Sequence, residues 1–363
     1  MKRADFWRIR RLMVDEAMAD TKHNYKLKFA FLIAVFAVAV MLAFGLGRYP
    51  VYPGELIRIL LSRFFNVTKM FNITADETAQ AVVLNLRLPR VISAVVIGAG
   101  LSVAGASYQG MFRNPMVSPD VLGASSGAGF GAALAILFGM GWAATSASAF
   151  VIGLAAVTVA YIIGRVFKGD EILGLVLSGM MISTLFSSFT SFIKLIADTD
   201  SVLPAITYWL MGSLSSIRME DLFPGLVPII VGIIPLFLLR WQLNMLTVSE
   251  DEARSMGVNT SALRTVIIVC STLITAACVA MSGLIGWVGL VIPNFCRMLF
   301  GHDNRYVIPA SLIMGASYLL IVDTVARIIA ATEVPIGILT SVIGAPVFIY
   351  LMLSGRRSKI QIV

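Results

Sequence analysis

Residues 121–164 read VLGASSGAGFGAALAILFGMGWAATSASAFVIGLAAVTVAYIIG, a run of 44 positions without a charged side chain. A helix crosses the hydrocarbon core of a bilayer in about 20 residues. Lipid offers no partner to an unpaired backbone group, so a run of this length must be helical. It is long enough for two spans, and Gly139, Gly141 and Trp142 near its middle mark the tight turn between them. The stretch therefore predicts an all-α integral membrane protein.

Seven further uncharged windows lie on either side, at 29–47, 91–112, 172–193, 222–239, 265–296, 306–322 and 334–355. The 32-residue window at 265–296 is broken by Ser282-Gly283, and Gly283, Gly286 and Gly289 allow close packing or local unwinding there. The expectation is ten membrane helices. Composition agrees: 58% of residues are apolar and 13% charged, against about 45–50% and about 25% in soluble domains. The mean hydropathy of +0.89 likewise excludes a water-soluble fold.

The 19 uncharged residues of the first window exceed the core of a cleavable signal, about 7–15 residues, so it is read as a retained span despite Ala37-Val38-Ala39. Basic residues orient the chain. With the amino terminus inside and ten crossings, 19 of the 28 Lys and Arg fall on the inner side and nine outside. That surplus is read as topology and not as nucleic-acid binding. The stretches between spans are too short for an independent core. The organisation is a basic cytoplasmic tail at 1–28, one membrane-spanning domain at 29–353 with an inner loop at 240–264, and a cytoplasmic tail at 354–363.

Few residues carry chemistry of their own. Gly123-Ala124-Ser125-Ser126-Gly127 fits the nucleophile pattern G-x-S-x-G, but His23 and His302 lie in the tail and a polar loop and no lysine lies within a span, so no base is at hand. Packing explains the string better, since Gly123, Gly127 and Gly131 stand four apart on one helix face. Cys270, Cys278 and Cys296 lack metal-ligand spacing and read as small hydrophobes. The chain has no catalytic residue, metal site or phosphate-cradling G-x-x-x-x-G-K-[ST] loop, so nucleotide energy must come from a partner.

Three features invite partners or motion. In the inner loop, Ser249-Glu250-Asp251-Glu252 reads as a capping box and Gly257 as a helix stop. They delimit a short helix whose Ala253, Met256 and Val258, with Arg254, offer a small surface; a solvated connecting helix is the equal alternative. On the outer side, Arg87 and Arg90 bracket Leu88-Pro89, and Arg327 follows Asp323 by one turn. An Asp323–Arg327 pair is the structural reading of the last. The three together suit carboxylates on an external partner, because guanidinium pairs with them bidentately. At the inner end of the second span, Arg113-Asn114-Pro115-Met116 and Ser118-Pro119-Asp120 break the helix, as a turn or as a gate lining a cavity.

On these residues the sequence resembles the permease subunits of type II ATP-binding-cassette importers for ferric siderophores, haem and cobalamin. The similar pieces are Leu86-Arg87-Leu88-Pro89-Arg90, Arg113-Asn114-Pro115, Leu122-Gly123 through Gly127-Ala128, and Glu252-Ala253 with Met256-Gly257. They continue with Gly283-Leu284-Ile285-Gly286, Val288 through Pro293, Asp323 with Ala326-Arg327, and Glu333 through Gly337 to Gly344-Ala345-Pro346. The resemblance implies a homodimer of ten-helix subunits in a prokaryotic cell membrane, with two cytoplasmic ATPases and an extracytoplasmic binding protein. ATP and Mg would sit on the ATPases, and no cofactor on this chain. It implies that Arg87, Arg90 and Arg327 face the binding protein. Ser249, Glu250, Glu252, Ala253, Arg254, Met256 and Gly257 would couple to the ATPase. Asn114, Pro115, Met116, Glu171 and Ile172 would form the cytoplasmic gate. The chain departs from the family's pattern at Asn294, where a histidine is usual, and at Met116, where a leucine is. The implied cargo is a ferric siderophore, then haem or cobalamin, then a molybdate-type oxyanion. An ion-coupled secondary transporter is the alternative; it requires a buried ionisable residue, and the middles of the predicted spans hold none. A channel or purely structural subunit, a third reading, would need neither inner-loop helix nor outer arginines.

Overall fold

The computed structural model describes residues 3–47, 49, 51, 52, 54–59, 77–167, 171–247, 250–330 and 332–360. Among them all regular structure is helical. The principal helices are α1 (Arg3–Gly45), α2 (Leu88–Met111), α3 (Ala124–Leu137), α4 (Trp142–Val166), α5 (Glu171–Ile196), α6 (Val202–Met211), α7 (Met219–Leu238), α8 (Thr260–Ser282), α9 (Val288–Phe300), α10 (Asn304–Ile328) and α11 (Ile336–Ile360). All but α6 occupy the predicted windows, including the two pairs split from single runs. Helix α1 also continues through the segment expected as a separate tail.

Burial sorts the helices into two shells. Helices α2, α8 and α10 are mostly buried within the chain, whereas α4, α5 and α7 are buried over only a third or less of their apolar length. Small residues bring α2 close to α10 and α9. A Cβ added to Gly98 of α2 would stand 2.9 Å from the Gly315 carbonyl carbon of α10, and one on Gly105 would stand 2.6 Å from that of Gly289 in α9. Backbone therefore meets backbone, which is how membrane helices gain contact where lipid supplies no hydrophobic drive.

Two helices are half-length. Helices α3 and α9 have 14 and 13 residues, about 20 Å each at 1.5 Å per residue, short of the roughly 30 Å core. The irregular stretches 112–123 and 283–287 precede them. Helix α6 is the element that the hydropathy windows miss: ten residues are too few for a span, and charges at Lys194, Asp198 and Asp200 precede it. It ends at Gly212, whose carbonyl accepts from Ile336 N at 2.9 Å, while Ser213 N donates to Ser282 O at 2.8 Å. The ends of α6 and α8 and the start of α11 thus meet at one point.

Before α2 the helix is wound wide over Val82–Arg87. Pro89 follows and removes a backbone donor, the kind of site where such a bulge is found.

Candidate functional site

Two polar assemblies stand at opposite ends of the helices. The first unites the three arginines singled out by sequence with two acids. Arg90 Nε donates to Asp323 Oδ1 at 2.7 Å, and its Nη1 meets both oxygens of Glu333 at 3.1 and 2.8 Å. Arg327 Nε stands 3.3 Å from Asp323 Oδ2, an ion pair without hydrogen-bond geometry. Its Nη2 donates to Ala43 O at 2.9 Å. Arg87 donates to the carbonyls of Phe44 and Tyr49 and, at 3.4 Å, to that of Gly45.

These arginines do not form a free surface patch: Arg87, Arg90 and Arg327 are 5%, 8% and 7% exposed, and Asp323 is fully buried. The reason lies in α1. Its last carbonyls have no intrahelical donors and form the negative end of the helix dipole, so they draw in Arg87 and Arg327. Three guanidiniums against two carboxylates leave one positive charge in excess among the described residues. Arg87 is the member with no carboxylate partner there. The predicted Asp323–Arg327 pair is present, but inside a larger network.

The second assembly lies at the far end of α2. Here Asn114 N donates to Gln109 O at 3.2 Å, Met116 N to Asn114 Oδ1 at 2.9 Å, and the chain leaves the helix with Arg113 at φ +51°. Asn114, Pro115 and Met116 are exposed. The segment is held from behind: Asn294 Nδ2 donates to Pro115 O at 2.9 Å, and Gln109 Nε2 to Val117 O at 3.1 Å. Arg297 braces Gln109 in turn, donating to its Oε1. Glu171 is engaged elsewhere, with Arg264 of α8 at 2.8 Å, and Ile172 is half-buried. The two parts of the expected gate therefore have different anchors, α2 and α9 for 114–117 and α8 for 171.

The predicted loop helix is present at Glu250–Ser255. Gly257 stops it at φ +78°, and Val258 N donates to Ala253 O at 3.1 Å. Ser249 and the side chains of Glu250 and Arg254 lie outside the described residues. The expected apolar surface is smaller than its three residues suggested. Ala253 and Val258 are buried against the chain, and Met256 alone of the three is exposed.

A cavity of about 230 Å³ opens between α2, α8 and the starts of α3 and α9, lined by Leu101, Asp120, Ser125, Thr275 and Trp287 among others. Asp120 Oδ1 accepts from Ser125 N at 3.0 Å, which satisfies a donor in the first turn of α3. This carboxylate shares its cavity with Leu101, near the middle of α2. A linear scan assigns it to a loop at the helix end. Gly127 and Gly131 do meet α4 closely, whereas Gly123, at φ +88°, starts α3 and faces Ser183 of α5. The three cysteines are free and buried, and no group of metal-binding residues occurs among the described residues.

Comparison with known proteins finds the model of the FecCD transport family matching residues 32–354. The molybdate import system permease protein MolB of Haemophilus influenzae is 37% identical over 326 residues, covering 90% of this chain and 95% of its own. A probable iron chelatin transport system permease protein of Helicobacter pylori is 41% identical over 275 residues, covering 76% and 83%. Among solved structures, a metal-chelate type ABC transporter in an inward-facing conformation is similar with TM-score 0.79 and 37% identity, covering 91% of this chain and 99% of that one.

Proposed function

Given that the chain belongs to the FecCD transport family, the permeases of ATP-binding-cassette importers, we propose that two copies form the translocation pathway for a metal chelate or oxyanion. In this reading a binding protein docks at the arginine end, outside the cell, and two ATPases bind the loop-helix end in the cytoplasm, with ATP and Mg on them and no cofactor on this chain. Both termini are cytoplasmic. The chain is a transport component and not an enzyme. Relatives bear the names of different cargoes, and a ferric siderophore is the cargo proposed first, ahead of haem, cobalamin and molybdate.

One observation carries the reading: the exposed break at 114–116 and the loop helix Glu250–Ser255 sit at the same end of the fold, opposite a cluster with surplus positive charge. An acidic partner suits that surplus. Because the guanidiniums are buried, docking carboxylates must compete for Arg90 with Glu333, which is part-exposed, or for Arg87 with the α1 carbonyls. Met256, Glu252 and Gly257 supply the ATPase contact, alongside Ser249, Glu250 and Arg254, while the buried Ala253 seats the loop helix against the chain. Asn114, Pro115 and Met116, with Glu171 and Ile172, close the pathway on the cytoplasmic side.

The test is uptake into vesicles bearing the assembled complex. Cargo should accumulate only when ATP and the loaded binding protein are both supplied, and accumulation by the permease alone would sink the proposal. Mass spectrometry of the ligand retained by the purified binding protein names the cargo.

A further inference from the structure

Arg113 is one of two non-glycine residues, with Trp287, at positive φ among the described residues. It stands just past the end of α2, where glycine is the usual occupant because a Cβ is strained there. Strain of this kind persists where surrounding contacts over-determine the conformation, and it concentrates at switch regions. The contact here reaches far along the chain: Arg113 Nε donates to Leu246 O at 2.6 Å, across 133 residues.

Leu246 belongs to the tight helical turn Gln242–Thr247, which leads into the loop helix Glu250–Ser255. That turn is firmly seated. Leu243 and Leu246 are buried, Asn244 Nδ2 donates to Asp303 Oδ1 at 2.7 Å, and Asn304 N donates to Asn244 Oδ1 at 2.9 Å. On its other side Arg113 is bonded directly to Asn114 of the exposed break, whose next carbonyls are gripped by Asn294 and Gln109. A displacement of the 242–247 turn thus has a short covalent and hydrogen-bonded route to Met116.

We propose that Arg113 is a positioning residue that transmits movement of the ATPase-bound loop to the cytoplasmic gate. The inference rests on the reading above, in which 250–255 meets the ATPase and 114–116 is the gate. The strained backbone aims the guanidinium at Leu246 O while the adjoining peptide carries the gate.

The experiment uses the complete importer, with permease, ATPases and binding protein reconstituted in liposomes. A Met116→Cys reporter is labelled by maleimide, the native thiols being buried, and cargo imported per ATP hydrolysed is measured in parallel. With Arg113 intact, the labelling rate should differ several-fold between nucleotide-free and ATP-bound states. Arg113→Gly relieves the strain and removes the donor; it should flatten that difference and lower cargo per ATP about tenfold, the factor a lost charge-assisted hydrogen bond supports, while ATP hydrolysis continues. Arg113→Lys, which keeps a charged donor, should regain part of both. An Arg113→Gly importer with an unchanged labelling response and unchanged cargo per ATP overturns the proposal, as does an Arg113→Lys importer no better than the glycine variant. If Arg113→Gly does not assemble, Arg113→Gln, neutral and shorter, is read against Arg113→Lys by the same criteria. A reporter that ignores nucleotide even with Arg113 intact counts against the gate itself, and so against the function proposed for the break rather than against the tether.

Discussion

Asp323 has no exposed surface and stands between two guanidiniums, so its charge is what makes burying Arg90 and Arg327 tolerable. Removing one partner of a buried ionic network strands the others, at a cost of about 3–5 kcal/mol. Asp323→Ala should therefore destabilise the folded permease by that order, read as a lower unfolding temperature in detergent. Glu333→Ala, at the part-exposed edge of the cluster, should cost under about 1 kcal/mol. Equal effects would refute the division of labour between the two acids. The sequence exposed the oddity of three arginines at this end and the one-turn spacing of Asp323 and Arg327. It did not expose Arg90 pairing with Asp323, nor the carbonyls of α1 as acceptors, because those partners lie 233 residues away or belong to backbone at a helix end. Asp120 escaped for a related reason: hydropathy ranks residues along the chain, and the fold brings this loop carboxylate into a cavity shared with Leu101, near the middle of α2.

At the scale of the element, α2 is the axis on which α7, α8, α9 and α10 pack, and its glycines set how near they come. A Cβ at Gly105 would collide with the backbone of Gly289, which cannot move aside as a flexible side-chain end can. Gly105→Val should thus cost about 1–3 kcal/mol or more by overpacking and abolish uptake. Gly286→Ala, where an added Cβ meets nothing within 4 Å, should leave both melting temperature and uptake near their original values, and a matching loss would show that glycine content and not contact governs this region. Long spans were legible because charge-free length has one physical meaning in a bilayer. The break at Ser282-Gly283 and the turn near Gly139 were legible from residues that favour turns. Helix α6 was not, since ten residues between charged flanks carry no spanning signal, and the loop helix showed its limits but not which face it buries.

For the molecule as a whole, the proposed cycle is a linkage between two ends, and a ligand shifts a conformational equilibrium only by its unequal affinity for the states. Charge reversal at Arg87 and Arg90, read on protein that stays folded, should weaken binding-protein docking more at low salt than at high salt, because at 0.1 M salt interactions between charges more than about 10 Å apart are largely screened. Unchanged affinity at low salt would separate the cluster from docking and leave it a structural brace. Replacing Met256 and Glu252 together with Ala should lower cargo imported per ATP while leaving the melting temperature within about 2 °C, as expected for exposed side chains away from the core; unaltered stoichiometry would remove the loop helix from energy coupling.

The meeting point of Gly212, Gly283 and Gly337 bears on how such a chain can diversify. A Cβ on Gly212 would stand 2.6 Å from Leu284 O, one on Gly283 would stand 3.0 Å from the Gly212 Cα, and one on Gly337 would stand 2.8 Å from Leu284 O. Three stretches distant in the gene are thereby locked as one inheritable unit. Chimaeras with a relative should tolerate crossovers that carry all three segments from one parent and fail when a bulkier residue arrives at a single one, so recombination can shuffle the outer helices while this joint passes down intact.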